Sequence, residues 1–282
     1  MPARLSAQEE QGKVRAKPEK CADHYTQARL FFESQTPVEQ DHIANAFRFE
    51  LSKVTVPAIR ERMVASLRNA SEALASKVAK GLWMELPDPL PLALPNPAEP
   101  EVRKSPALSL LARPGDGSIR GRKVALLVAG GVEATSLQRV QEMLVEQGAV
   151  ARLVGPRIGA FRTAAGETIE ADASMENEPG FLFDALVLPD GDEAVAALGQ
   201  DGHSVEFIRD QFRHCKPILA LGTSQLLLMR AGLPAAMDKA QGQSVTGVLL
   251  ADAADAEAAA TAFIGAMSRH RHFGRETDPP ML

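Results

Sequence analysis

Three places in this sequence bring together side chains able to do chemistry. His214 and Cys215 set an imidazole beside a thiol, the residue types of a thiolate nucleophile and its base. Ser224, in Gly222-Thr223-Ser224-Gln225-Leu226, follows an apolar run and precedes a helix-like one, where a serine nucleophile elbow would stand. His270 and His272 are two imidazoles one residue apart, a spacing that can serve a metal. Each place also has a plainer reading. Cys215 sits where a helix gives way to a strand, with no further ligand or base in the sequence around it, and reads as a partly buried thiol. An elbow needs a small residue two positions after the nucleophile, and Leu226 stands there, so Ser224 reads as a helix N-cap. His270 and His272, interleaved with Arg269 and Arg271, place positive charge near a helix C-terminus. Asp190-Gly191-Asp192 reads as a turn, and no glycine-rich phosphate fingerprint follows any strand. The expectation is therefore no catalytic, no cofactor-binding and no metal-binding residue in this chain.

Composition narrows the classes further. The chain has 282 residues, 45% hydrophobic and 24% charged, with 31 Lys plus Arg against 36 Asp plus Glu. The net charge of -5 comes with both signs interspersed, so no basic stripe argues for nucleic acid. The longest apolar runs, such as Val124 to Ala129 and Ala185 to Leu188, fall far short of the roughly 20 residues that span a bilayer. The first twenty residues are polar, without the apolar centre of a signal peptide. Only two cysteines occur, Cys21 and Cys215, which implies a reducing, cytoplasmic setting.

The elements that would position these residues divide at a proline-rich stretch. Eight of the 19 prolines fall between Pro87 and Pro114, where proline excludes both a regular helix and a central strand. This connector also carries Leu90, Leu92, Leu94, Leu108, Leu110 and Leu111, too apolar for a free linker, so it should lie along a protein surface. Before it, Thr36-Pro37-Val38-Glu39 forms a capping box for a helix through Ile43, Phe47, Leu51 and Val54. A second helix starts at Pro57, and a third follows Asn69 and stops at Gly81. After the connector, strand-like runs (Lys123 to Ala129, Ala151 to Val154, Phe183 to Leu188, Pro217 to Leu221, Val245 to Ala251) alternate with helices. The helices are placed at Thr135 to Gln147, Val205 to Phe212, Ser224 to Ala231 and Glu257 to Ser268, and a hairpin spans Phe161 to Ala171 around Ala165-Gly166. That alternation predicts an α/β fold, a flavodoxin-like, doubly wound, mainly parallel sheet.

The expected organisation is an extended segment at 1–22, a helical region at 23–85, a connector at 86–120 and the α/β domain at 121–282. Five of the 13 aromatics, Tyr25, Phe31, Phe32, Phe47 and Phe49, crowd into the helical region, more than three helices would hide. An exposed apolar surface is therefore expected on Phe31, Phe32, Phe47, Phe49 and Trp83.

Gly12-Lys13-Val14-Arg15, then DHYTQARLFFESQTPVEQDHIANAFRFELSKV from Asp23 and PAIRERMV from Pro57, resemble the helical region that follows the haem barrel in large-subunit monofunctional haem catalases. The α/β part, with its ending Arg269-His270-Arg271-His272-Phe273 and Glu276-Thr277-Asp278-Pro279-Pro280, resembles their extra C-terminal domain, a relative of the amidotransferase and intracellular-protease superfamily. The resemblance implies hydrogen peroxide decomposition, oxidative stress defence, bound haem and a homo-oligomer for the complete protein. Its haem ligand is a tyrosinate in an arginine-rich segment, with a distal His and Asn. The one tyrosine here, Tyr25, matches the helical motif and not the ligand motif, so this chain alone should bind no haem and turn over no peroxide, and its implied partner is the haem barrel. In the wider superfamily the nucleophilic Cys, usually followed by His, falls on Gly222 and Thr223, and a supporting acid on Glu133, which without a thiol reads as a helix-start carboxylate. The competing readings are a stand-alone enzyme of that superfamily or stress chaperone acting through Glu133, Cys215 or Ser224, and a small-ligand binding module.

Overall fold

The computed structural model describes residues 19–113, 115–233 and 245–280. The Gly12–Arg15 motif, most of the segment expected at 1–22, and Pro114 lie outside the described residues. The chain divides into two compact units, residues 1–114 and 115–282.

In the first unit, α1 (Thr26–Ser34), α2 (Pro37–Ser52), α3 (Pro57–Ala70) and α4 (Glu72–Gly81) follow one another. The sequence pattern predicts three of these. The additional α1 is started by Asp23, whose Oδ1 accepts the amides of Tyr25 and Thr26 at 3.3 and 3.0 Å. The capping box of α2 forms as its residue types require. The start of α4 differs from expectation: Ser71 is the cap, accepting the Leu74 amide at 3.3 Å, while Asn69 lies within α3 and donates to the Leu90 carbonyl at 2.9 Å. Phe32, Leu51, Val64, Leu67, Leu74 and Val78 form the core of the unit, with Phe47 packed against it. The exposed aromatic surface is thus smaller than expected: Phe32 is only 6% exposed, whereas Phe31, Phe49 and Trp83 stand at 48, 63 and 97%. The helices turn Phe32 and Phe47 inward because one face of α1 and of α2 meets α3 and α4.

The connector lies on these helices. Arg68 donates to the Pro87 carbonyl at 2.9 Å, Gln35 to that of Leu108 at 3.1 Å, and the Ser105 amide to Ser34 Oγ at 2.9 Å. The strongest tie is Glu39. Its Oε2 accepts the Thr36 amide at 2.8 Å and the Ser109 hydroxyl at 2.7 Å, and its Oε1 accepts the Leu110 and Leu111 amides at 2.9 and 3.2 Å. One carboxylate therefore caps α2 and anchors the end of the connector.

The second unit is α/β. Its strands are β1 (Lys123–Leu127), β2 (Val150–Gly155), β3 (Gly159–Arg162), β4 (Thr168–Ala171), β5 (Ala173–Ser174), β6 (Ala185–Leu188), β7 (Ile218–Leu221) and β8 (Val248–Ala251). Six of them form one sheet in the order β5-β2-β1-β6-β7-β8, and β3 with β4 forms a separate antiparallel hairpin. Every pairing in the six-stranded sheet is parallel. Apart from the short edge strand β5, this is the strand order of a flavodoxin-like sheet. Helices α5 (Ala134–Glu146), α6 (Asp192–Gln200), α7 (Gly202–Arg213), α8 (Gln225–Arg230) and α9 (Ala256–Ser268) supply the crossovers, and α6 is the one that periodicity does not predict. All residues of β6 and β7 are buried, so helices must cover both faces; α5 packs with α9, and α6 with α7 and α8.

Because hydrogen bonds outweigh the opposing effect of burial and hold the Glu39 carboxyl at about 2, its contribution to stability is complete above the ordinary value of 4.5 and is lost as pH falls toward 2. Glu39→Ala should cost about 1–3 kcal/mol at neutral pH and flatten the acid limb of stability over that window. Limited proteolysis of the wild-type chain should cut near residues 112–118 and spare 87–111, and the variant should open 87–111 as well. An unchanged cleavage pattern in the variant would show that Glu39 does not hold the connector.

Candidate functional site

The carboxyl ends of β1, β6 and β7 meet at one edge of the sheet, and the loops that leave them carry Glu133, Asp190 and Gly222. Gly222 follows β7 with φ of +53° and leads through Thr223 and Ser224 into α8, the strand-turn-helix geometry of an elbow. A side chain there would be strained and would have to displace Asp190. A Cβ on Gly222 would overlap the carboxyl carbon and both oxygens of Asp190. Asp190 Oδ1 accepts the Gly191 amide at 2.8 Å and the Thr223 amide and hydroxyl, both at 2.9 Å. Burial opposes ionisation of Asp190, but these donors outweigh it and lower its pKa. Sequence reasoning treats Asp190 as part of a turn and misses this role. The available signal was an acid placed directly after a buried strand, followed by glycine.

Ser224 departs from its expected capping role. Its hydroxyl is fully buried and donates backward to the Leu221 carbonyl at 2.7 Å, with that of Leu188 at 3.3 Å, because its backbone is already helical and its side chain cannot reach the following amides. Glu133 is the N-cap of α5: its carboxylate accepts the amides of Thr135 and Ser136, both at 2.9 Å, and the Ser136 hydroxyl at 2.5 Å. Beside it a shallow groove of about 620 Å³ is lined by Arg139 and Glu257, which pair at 3.4 Å.

Cys215 lies just before β7, at the opposite edge of the sheet from Glu133 and Ser224, since the strands are parallel. It is 2% exposed, more buried than the sequence suggests, and burial pushes its thiol pKa up. The charges acting most on it belong to Arg275, Glu276 and Arg271, not to His214, whose own pKa is lowered by burial and then by Lys216. A raised thiol without a facing base is a poor nucleophile. His270 and His272 diverge: His270 Nε2 lies 3.9 Å from Asp184, and His272 Nε2 lies 3.2 Å from the Ala266 carbonyl. Among the described residues no three acidic, His or Cys side chains could together hold a metal. Burial, with Arg271 beside the first and Arg275 beside the second, lowers both imidazole pKa values, so the expected positive charge at the end of α9 rests on arginine instead. Arg122 donates there to the Met267 carbonyl.

Two further groups went unnoticed in the sequence. Lys216, 3% exposed, donates to the carbonyls of Phe181 and Phe183 at 2.9 and 2.5 Å, and burial followed by the charge of Arg271 pushes it down to about 8. Arg275 stacks over Phe212 and donates to the Lys216 and Thr246 carbonyls at 2.5 and 2.8 Å, fastening the C-terminal residues to the sheet. Both spend their charge on backbone carbonyls.

Tyr25 is the one tyrosine of the chain that could offer haem a tyrosinate. Its hydroxyl lies 3.4 Å from Ser66 Oγ, and the cavity beside it, about 20 Å³, has room for roughly one water. The space beside Tyr25 does not fit a haem.

Two families of known sequence match the chain in succession. Residues 18–82 match "Catalase-related immune-responsive" proteins, and residues 120–277 match the "C-terminal domain found in long catalases", which is more than half of the chain. The chain belongs to the long-catalase family. Among curated relatives, Catalase C of Rhizobium meliloti (strain 1021) is 40% identical over 95% of the chain and 36% of its own length. Catalase HPII of Mycobacterium avium is 36% identical over 91% of the chain and 36% of its own length. Catalase-2 of Bacillus subtilis (strain 168) is 30% identical over 93% of the chain and 36% of its own length. The long-catalase chain spans about a third of the length of these relatives.

The two cysteines should separate cleanly in a thiol titration. Cys21 is exposed and Cys215 buried, so the folded chain should react quickly with one equivalent of an aromatic disulfide reagent and release a second only on unfolding. Rapid reaction of two thiols in the folded chain would contradict the inert reading of Cys215.

Proposed function

We propose that this chain is the C-terminal portion of a large-subunit haem catalase and serves it by packing, without turnover of its own. Peroxide decomposition to water and oxygen, the haem, the homo-oligomer and the cytoplasmic setting belong in this reading to the complete protein. The observation that carries it is the Asp190 carboxylate seated where an elbow nucleophile would project from position 222. A stand-alone enzyme would need that position, or Cys215 or Ser224, to supply a nucleophile facing a base, and neither alternative does so. The helical unit supports the same reading, because Phe31, Phe49, Ile59, Met63 and Trp83 leave apolar area uncovered. Its partner in this reading is the haem barrel. No described helix is long and apolar enough to cross a membrane.

The purified chain, supplied with haem, should show no Soret band of a stoichiometric complex and evolve no oxygen from hydrogen peroxide. Turnover by a stoichiometric haem complex would overturn the proposal. The full chain should also bind an apolar-surface dye and sediment with concentration dependence, and Phe31→Glu with Phe49→Glu should reduce both. A dye-negative monomer at all concentrations would mean that the helical unit needs no partner.

A further inference from the structure

In an open parallel sheet the ligand crevice forms outside the carboxyl ends of the strands, where successive connections leave in opposite directions. Here that place lies between β1 and β6, because the chain moves from β1 to β2 on one side while β6 pairs with β1 on the other. The protein closes the crevice with its own groups. The Glu133 amide donates to the Asp190 backbone carbonyl at 2.9 Å, joining the loop after β1 to the loop after β6. The two loops approach so closely that a Cβ on Gly191, whose φ is +114°, would overlap the Gly131 carbonyl oxygen. The Asp190 side chain then crosses to the third loop and takes the donors of Gly191 and Thr223.

The Thr223 amide is the backbone donor that follows the elbow position, which in an acyl-transfer site faces a developing oxyanion. A carboxylate oxygen on that amide therefore occupies the place of a bound anion. We propose that the Gly191 amide with the Thr223 amide and hydroxyl forms a binding site for a small carboxylate, kept filled by Asp190 as an internal ligand. Glycine at 222 follows from this occupancy: a nucleophile there and the Asp190 plug exclude one another by overlap. Asp190 and Thr223 are only partly buried, so a small anion has a short path to the donors once the side chain is gone.

The test uses the full chain. Asp190→Ala should lower Tm by about 4–8 °C, the scale set by losing a charged hydrogen-bond acceptor in a domain of this size. Sodium formate should restore most of that loss saturably, sodium chloride at equal ionic strength should not, and the wild-type Tm should respond alike to both salts. In nitrogen-labelled Asp190→Ala protein, the amide resonances of Thr223 and Gly191 should move with formate toward their wild-type positions. Asp190→Asn keeps an acceptor in place and should lose less Tm and gain nothing from formate. Equal effects of formate and chloride on Asp190→Ala, or failure to recover that variant folded with formate present, would overturn the proposal. A second arm needs no added ligand: Gly222→Ala should lower Tm more in the wild type than in the Asp190→Ala background, and equal losses would show that the plug does not exclude a side chain at 222.

Discussion

Residues 115–282 depend on three short strands buried on both faces. Val124 to Leu127, Ala185 to Leu188 and Ile218 to Leu221 are at most 1% exposed, and none carries a polar side chain. Such strands satisfy their backbone groups through neighbouring strands, and they can be joined in parallel only by crossovers. The crossovers determine where everything else goes. Each one returns a helix to cover a face of the sheet, and each leaves its strand at the same edge, so three loops whose backbone groups need partners outside the sheet converge there.

Convergence at that edge is what makes Asp190 central. Loop amides and carbonyls near a buried sheet cost free energy unless they are paired, and this one residue pairs with all three loops, its carbonyl taking the Glu133 amide and its carboxylate the Gly191 and Thr223 donors. In an enzyme the same donors would be reserved for a transition state, at the expense of stability in the free protein. Here they are consumed in the ground state. The arrangement closes this edge of the sheet with the protein's own groups.

Residues 19–113 solve a different problem. Four short helices enclose a small core, and the connector adds to it by lying along α1, α2 and α3 through side chains already engaged in the helices: Glu39 from a capping box, Asn69 and Arg68 from the last turns of α3, Gln35 after α1. Trp83 stands apart from this economy. It takes φ of +55° where a helix end favours glycine, and the residue is 97% exposed.

The elements themselves were largely legible in the amino-acid sequence. Short apolar runs bounded by turn residues, such as Val124 to Ala129 and Ala185 to Leu188, read as buried strands, the Thr36-Pro37-Val38-Glu39 box starts a helix through its own atoms, and the dense prolines between 87 and 114 exclude a regular α-helix or central strand. Those are properties of neighbours along the chain. Helices α1 and α6 escaped because their starts, Asp23 two residues before a mixed stretch and Asp192 inside an apparent turn, look locally like loops. The emptiness at position 222 was also visible as a glycine. What filled it was not, because Asp190 and Gly222 lie 32 positions apart and meet only when β6 and β7 pair in register. The same holds for Glu39 reaching Ser109, for Phe32 and Phe47 turning inward, and for Ser224 donating backward. Sequence determines which local structures a segment can hold; which polar groups must share one small volume is decided by the packing of the strands and helices around them.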